Sequence, residues 1–534
     1  MIRKGQGMVR RASHRQCSWR WFWLVSGLGA LVWFLIRVVP RPSRAAYPCQ
    51  RAALPLAAGF VAWLASGLSS ILAFKKAKTM AARSRWVMAA LLLAAGLAAS
   101  GVFWSRLEVQ PGLAQGQQPG FVPTDQPNRP IGRPFGIRPG RVVWVHDPNV
   151  SRWDGISNDP GWWDDRYTNP KLVSRMLADA IRSVGDAADL RTAWDRIFKD
   201  FNQRAGRGPT GYQKGQKIAI KLNLNQCRDH GDCGNASYIA PQLVMAILDQ
   251  LVNQVGVVHS DITCYDAVRC VPSTIYDRCT KAFPGVRFVD SIGGDGREKA
   301  VPSKQDPLYL AGGEVIYLPT CLVEADYLIN VAGLKGHTLA GITVCAKNHL
   351  GSMLTESGGN AAQRIHQYLT VRPGRPGRSV QQMGQYNGLV DLAGHKHISG
   401  KTILYIIDAI YATRHNEYRL DNSCKWESSP FNGFWTCSIL ASQDGIAIDS
   451  VALDLLRNEP TLNEIVRGAV DNYLHEAALA DRPASGTRYD PERDGTFLTS
   501  LGVHEHWNDP KDRKYSRNLG TGNGIELVCI GDRF

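Results

Sequence analysis

No aspartate or glutamate occurs in the first 106 residues of this 534-residue chain, and no Cys-x-x-Cys, HExxH or Walker loop occurs anywhere. Each absence excludes something. Without a close cysteine pair, the twelve cysteines do not supply the usual ligand spacing of an iron–sulfur cluster, and none is expected. Without HExxH there is no standard zinc-protease helix. Without a Walker loop, or a GxGxxG set between a strand and a helix, there is no standard phosphate or dinucleotide cradle. The missing acids also explain the charge. A formal +15 suggests a nucleic-acid binder, but the first 106 residues hold sixteen Lys or Arg, and the remainder carries 46 basic residues against 47 acidic ones. The basicity belongs to one end, so a broad phosphate-binding surface is not supported and no nucleic-acid partner is expected.

That basic end is broken by long apolar runs. Ala52–Phe74 and Trp86–Trp104 contain no charged residue and reach the ~20 residues that cross a bilayer. Trp21–Ile36 is shorter, but Trp19, Trp21, Trp23 and Trp33 suit an interfacial belt and Arg37 can snorkel. Buried core helices are the alternative for these runs. A cleaved signal peptide is the alternative for the first, weakened by its long basic leader. The expectation is an anchor of about three transmembrane helices over 1–106, with the bilayer as partner. The chain is then a multi-pass membrane protein whose large carboxyl-terminal domain lies outside the cytoplasm. Residues 107–140, with seven prolines and six glycines, are expected to form an extended linker.

Residues 141–534 show strand–helix alternation. Val142–His146, Lys217–Asn223, Asp261–Asp266, Val286–Asp290, Tyr327–Val331, Thr402–Asp408 and Cys437–Ala441 are short β-branched or apolar runs. Tyr238–Val255 and Gly445–Leu456 have helical spacing, the latter placing Ile448, Ala452 and Leu455 on one face. The fold class predicted is α/β, a mainly parallel sheet covered by helices, preceded by the α-helical transmembrane segment. Gly358–Gly394 is polar and basic and reads as a long loop at the site. Ten cysteines in this part permit disulfides in an oxidising compartment, with Cys227–Cys233 and Cys424–Cys437 closing short loops. The run CRDHGDC, residues 227–233, has a transition-metal knot as its rival reading.

The densest chemistry lies in residues 326–353, DYLINVAGLKGHTLAGITVCAKNHLGSM. An apolar strand, Tyr327–Val331, is expected to empty into a Gly-rich turn holding Lys335 and His337, with Lys347 and Asn348 ten residues on. Ligands bind outside strand carboxyl ends in open α/β sheets. Lysines supply charge, Asn orients, and His moves protons near neutral pH. The competing reading is a structural turn with solvated lysines. Asp266, Asp290 and Asp408 end predicted strands, where Asp also serves turns and caps. Asp444 is placed to cap the helix that carries Asp449. The pairs His395/His397 and His504/His506 read as exposed loop residues.

The order of an Asp–hydrophobic strand, Lys335-Gly-His337, Gly341-Ile-Thr and Lys347-Asn348-x-x-Gly351 resembles the domain of unknown function 362 family. Lys217–Asn223 is similar to that family's first Lys-x-Asn strand, carrying Lys221 and Asn223. His366, Asp391, Asp408, Asp444 and Asp449 are similar to its later motifs. The resemblance covers about 215–456, and it implies a site without naming a reaction. Some relatives carry a ferredoxin-like module, from which this chain departs.

Two functions remain open. One is an enzyme acting on a small anionic or carbonyl-bearing substrate, with His337, His366, Asp408, Lys335 and Lys347 as the catalytic set. Lys221, Asn223, Asn348 and Asp266 would then bind substrate. The other is a non-catalytic binder using the same lysines on an anionic ligand or partner. The cofactor is unassigned. A divalent metal stays open, since His337 and His366 with a strand-end Asp make a plausible ligand set that matches no standard spacing.

Overall fold

A computed structural model describes residues 126–371, 380–415, 419–462 and 465–531, together with residues 32, 33, 36, 72, 75, 76, 78–80 and 82. The chain divides into two compact units, residues 1–118 and 119–534. Among the described residues no helix is long and apolar enough to cross a membrane. That finding overturns the multi-pass membrane localisation, and with it the outward placement of the carboxyl-terminal domain. The three apolar runs on which the expectation rested fall almost entirely outside the described residues, as do 107–125 of the expected linker.

Residues 126–140 are not a spacer. Ile131–Gly132 pairs antiparallel with Val503–His504. The Phe135 and Ile137 amides donate to Asp444 Oδ2 and Gln443 Oε1, each at 3.0 Å. Backbone groups that find fixed partners inside the domain no longer sample the extended chain that Pro and Gly favour elsewhere.

Ten strands form the main sheet: β1 Arg141–His146, β2 Ile218–Leu222, β3 Ile262–Tyr265, β4 Arg287–Asp290, β5 Glu298–Lys299, β6 Tyr327–His337, β7 Gly341–Thr343, β8 Thr402–Thr413, β9 Ser438–Ser442 and β10 Glu526–Ile530. Their order is β10-β1-β9-β8-β6-β2-β3-β4-β5, with β7 folded antiparallel onto the end of β6. β9 runs antiparallel to both neighbours and every other pairing along that path is parallel. The sheet is mixed but mostly parallel, an α/β architecture.

Side chains alternate across the strands and feed two cores. Val143, Val145, Ile218, Ile220, Ile329 and Val331 pack on one face, under α1 Pro170–Val184, α2 Leu190–Arg204, α3 Pro241–Asp249 and α4 Ser273–Ala282. Val142, Trp144, Ala219, Leu328 and Ala332 pack on the other, under α5 Cys345–Asn348, α6 Gly388–Gly394, α7 Gly445–Asn458 and α8 Asn472–Ala478. α1 opens with an Asn169 cap and Pro170, and α2 with an Asp189 cap. Asp444 caps α7, accepting from the Ile446 and Ala447 amides at 3.1 and 2.9 Å.

Several expectations change. β6 does not stop at Val331: it continues as strand through His337, so the Gly-rich turn is fully buried sheet. Gly333 and Gly336 allow this, since a Cβ at Gly336 would sit 2.0 Å from the Arg414 carbonyl oxygen. Gly358–Gly394 is not simply a loop. It contributes Ile365, Leu369, Leu389, Val390 and Leu392 to the core. Cys227 and Cys233 are joined as a disulfide. Cys424 and Cys437 are not, because each buried thiol turns to a different carbonyl, of Arg419 and of Pro148. The pairs His395/His397 and His504/His506 are buried rather than exposed. His397 bonds Asp306 and His506 bonds Asp454.

Candidate functional site

The carboxyl ends of β2, β3 and β6 converge, and each delivers polar groups. Lys221, next to last in β2, sits in register with Tyr265 of β3 and Asn330 of β6. Its ammonium is completely buried and donates to Asp266 Oδ2 at 3.1 Å, Asn348 Oδ1 at 3.2 Å and the Leu222 carbonyl. Burial lowers its pKa and the Asp266 carboxylate opposes that fall. Gly351 packs against this pair so closely that a Cβ there would lie 2.5 Å from Lys221 Nζ and 2.7 Å from Asp266 Oδ1.

Two carboxamides carry the network onward. Asn348 Nδ2 donates to Asn330 Oδ1 at 2.8 Å and the Val331 carbonyl at 3.1 Å, while its oxygen accepts from Lys221 and from Asn223 Nδ2 at 3.2 Å. Asn223 Oδ1 accepts from Lys335 Nζ at 2.7 Å, and Lys335 also donates to the Ser237 carbonyl at 2.8 Å. The short helix α5, which holds Lys347 and Asn348, is pinned by Asp449. That carboxylate accepts from the Cys345 and Ala346 amides at 2.8 and 3.0 Å, and from Tyr473 at 3.0 Å. Asp449 therefore positions the site from behind.

In front of this network lies a cavity of about 190 Å³. Asn223, Asp266, His337, Lys347 and His366 line it, so five of the residues singled out in the sequence share one space. Lys221, Lys335 and Asn348 form the layer behind. Asp408 does not line the cavity. Its oxygens accept from the Ala240 amide at 2.7 Å, where α3 begins, and from the Ile410 amide at 3.0 Å. Burial raises its pKa to about 6, with those amides and Lys335 pulling the other way. Asp408 thus acts on Lys335 through its charge, on the α3 side of the sheet. Asp391 also lies elsewhere, accepting from the Ala311 amide and Tyr386.

Among the described residues the cavity is short of negative charge. Lys347 is buried, its ammonium has no hydrogen bond or ion pair among the described residues, and burial, then Arg269, lower its pKa to about 7. Lys335 is lowered to about 7 by burial, against Asp408 and Asp266. Arg269 joins Lys347 on the wall, donating through Nη1 to the Val268 carbonyl at 2.9 Å, while its buried Nε has no partner among the described residues. The sequence reading missed Arg269. Its signal was position alone, three residues past the strand end at Asp266. Asp266 is the one carboxylate among the described lining residues, and it is already paired with Lys221.

The two histidines have complementary protons. His337 Nδ1 accepts from the Leu339 and Ala340 amides, each at 3.1 Å, so its ring proton sits on Nε2. Burial, then Lys347 and His366, push its pKa well below the usual value and keep it neutral. His366 Nδ1 lies 2.9 Å from the Ala362 carbonyl, which can only accept, so the neutral ring keeps its lone pair on Nε2. The rings stack with centroids 5.7 Å apart. Among the described residues two clusters have metal-ligating composition, His230/Cys270/Asp290 and Asp471/His504/His506, and neither contains His337 or His366.

Residues 218–454, less than half of the chain, match the family model described as domain of unknown function DUF362. A search of curated proteins finds no match. Among solved structures, the chain is similar to the lactate racemase apoprotein from Thermoanaerobacterium thermosaccharolyticum, at 11% identity and a TM-score of 0.26. The likeness covers 53% of this chain and 56% of that one. That score is too low to transfer a residue or an activity.

Proposed function

From a domain whose family description names no activity, we propose that the cavity binds a small anion bearing a carboxylate or carbonyl group, and that the chain is an enzyme moving a proton on it. The observation that carries this reading is Lys347, a buried ammonium facing the cavity without a partner among the described residues. Burying a cation uncompensated is expensive, and a ligand anion removes that cost. Arg269 supplies a planar donor of the kind that grips carboxylates. A cavity of about 190 Å³ suits a small acid.

In this reading Lys347 and Arg269 hold the anion, and Lys221 and Lys335 set the potential from behind. His366 serves as the base and His337 donates its Nε2 hydrogen bond to an oxygen that gains charge. A positioned acid/base pair of this kind contributes about 10²–10⁴-fold to a rate. Asp408 tunes Lys335 and does not touch substrate.

The test is calorimetric titration of short mono- and dicarboxylates, oxo-acids and inorganic phosphate, followed by deuterium incorporation into whichever ligand binds. Binding that disappears in Lys347→Met, with exchange that disappears in His366→Ala while binding stays, is the expected pattern. Binding without exchange makes the chain a binder, and anion binding untouched by Lys347→Met removes the site.

A further inference from the structure

The run CRDHGDC folds into a site apart from the cavity. The Cys227–Cys233 disulfide closes the loop. The Ser273 amide at the start of α4 bonds the His230 and Gly231 carbonyls at 3.0 Å, and the Cys270 amide bonds the Cys227 carbonyl at 3.2 Å. The loop is thereby fixed over the ends of β3 and β4, with His230 aimed inward. His230, Cys270 and Asp290 each bring one ligand atom, all within 4.8 Å of one another.

The hydrogen bonding of this trio poses a chemical problem. His230 Nε2 is 2.8 Å from Asp290 Oδ2, and its Nδ1 is 2.9 Å from Asp295 Oδ2. A neutral imidazole has one N–H and can donate to only one of two carboxylates. The second contact needs either another proton or a cation between the ring and the acid. The rest of the arrangement suits a cation. Asp290 Oδ1 is held by the Ile292 and Gly293 amides at 3.0 and 2.7 Å and Oδ2 accepts from the Val271 amide at 3.0 Å, which fixes the carboxylate and leaves Oδ2 one lone pair toward His230. Asp295 holds the far nitrogen of His230, the carboxylate–histidine arrangement that sets the tautomer of metal-ligating imidazoles. Sulfur, nitrogen and oxygen donors together suit zinc and its neighbours rather than magnesium or calcium. Asp290 and Cys270 are buried, while His230 retains some exposure and leaves a path inward.

We propose that His230 Nε2, Cys270 Sγ and Asp290 Oδ2 bind a zinc-class divalent cation. Binding forms a metal–thiolate bond and releases the thiol proton to solvent. Three protein donors leave a fourth position for an exchangeable ligand. The ion ties the disulfide loop to the sheet, beside the backbone of Arg269 on the cavity wall. The proposal does not depend on an anion binding at Lys347.

The test uses the full chain with its disulfide intact. After exposure to zinc and dialysis, metal analysis should find about one equivalent retained, as expected for a protein-ligated site. Cobalt should give a thiolate-to-metal charge-transfer band in the near ultraviolet together with visible d–d bands. Cys270→Ser should lose the charge-transfer band, His230→Gln should lose retained metal, and Lys347→Met should keep both. No retained metal and no cobalt band in a protein that is folded by circular dichroism overturns the proposal. A charge-transfer band that survives Cys270→Ser overturns it as well, because the sulfur ligand would then be another cysteine.

Discussion

The chain buries charge in two places and resolves it in opposite ways. Behind α7 and α8, Arg457 makes two 3.0 Å bonds to Asp471, and His506 lies between Asp454 at 2.6 Å and Asp471 at 3.4 Å. Each charge there has an opposite charge in reach. Burial alone would lower the His506 pKa, but Asp454 and Asp471 raise it to about 9, and Arg457 holds Asp471 well below the usual carboxylate range. At the ends of β2 and β6, Lys221 is paired with Asp266, Lys335 feels the charge of Asp408, Lys347 has no partner among the described residues, and burial lowers the pKa of all three. A closed cluster is complete without a ligand. The lysine cluster has no such closure among the described residues, and on that difference rests our proposal that it binds an anion.

Breaking the closed cluster should have the largest effect. Asp471→Ala leaves a buried guanidinium and an imidazolium short of a partner, and should cost about 3–5 kcal/mol in chemical denaturation. A loss below about 1 kcal/mol would mean that the cluster is not closed.

The pH dependence separates the two regions by sign. The folded pKa of His506, about 9, lies above its ordinary 6.5. Its contribution is full below 6.5 and fades as pH rises through 9, amounting to at most about 3 kcal/mol. The folded pKa of Lys347, about 7, lies below 10.5. Its penalty is full below 7 and is relieved as pH climbs toward 10.5. His506→Gln should therefore be least stable relative to the parent at mildly acid pH, with the gap closing on the alkaline side. Lys347→Met should exceed the parent at neutral pH by about 1–3 kcal/mol, as expected when an unpaired buried charge is replaced by an apolar chain of similar size. That advantage should also shrink at alkaline pH. Melting curves across this range decide both, and a Lys347→Met variant less stable than its parent at pH 7 would show that the ammonium has a partner.

The smallest effect should come from Gly351→Ala. A methyl group 2.5 Å from Lys221 Nζ must displace the pair with Asp266, and should cost about 1 kcal/mol, the low end for overpacking. A crystal structure of this variant with the Lys221–Asp266 distance unchanged would remove Gly351 from the account of the site.

The legible parts of the fold were those written in local pattern. β1, β2, β3, β4, β8 and β9 are β-branched runs, and each lies within a few residues of where the sequence placed it. The helix after Asp444 was legible because its cap and its apolar face agree. α1 and α2 carry equally clear caps at Asn169 and Asp189, yet they precede the motif-rich region and went unread. Strand ends collect polar groups, which is why the two lysine motifs, His366 and Asp408 were expected in one pocket; Lys347, His337 and His366 do share a space with Asn223 and Asp266, while Lys335 lies behind it and Asp408 does not line it. Arg269 was not expected there, because a single Arg in a turn looks solvated until its surroundings are known. The His504/His506 pair was misread for a similar reason: their burial depends on Ser450, Asp454 and Asp471, far away in sequence. The apolar runs near the amino terminus gave a hydropathy signal that no helix among the described residues supports.

Eleven consecutive buried residues make β6 the spine of the sheet, and the same strand carries Asn330, Lys335 and His337. Its amides should exchange with solvent only when the whole domain unfolds. A change to this strand therefore risks the fold along with the chemistry, and little variation is affordable there. The far wall is different: Gln363 and His366 belong to short helical turns away from the sheet, and Asn360 to an isolated bridge with Leu354. Descendants of this chain that take up a new ligand should differ on that wall, while the strand beneath keeps its sequence.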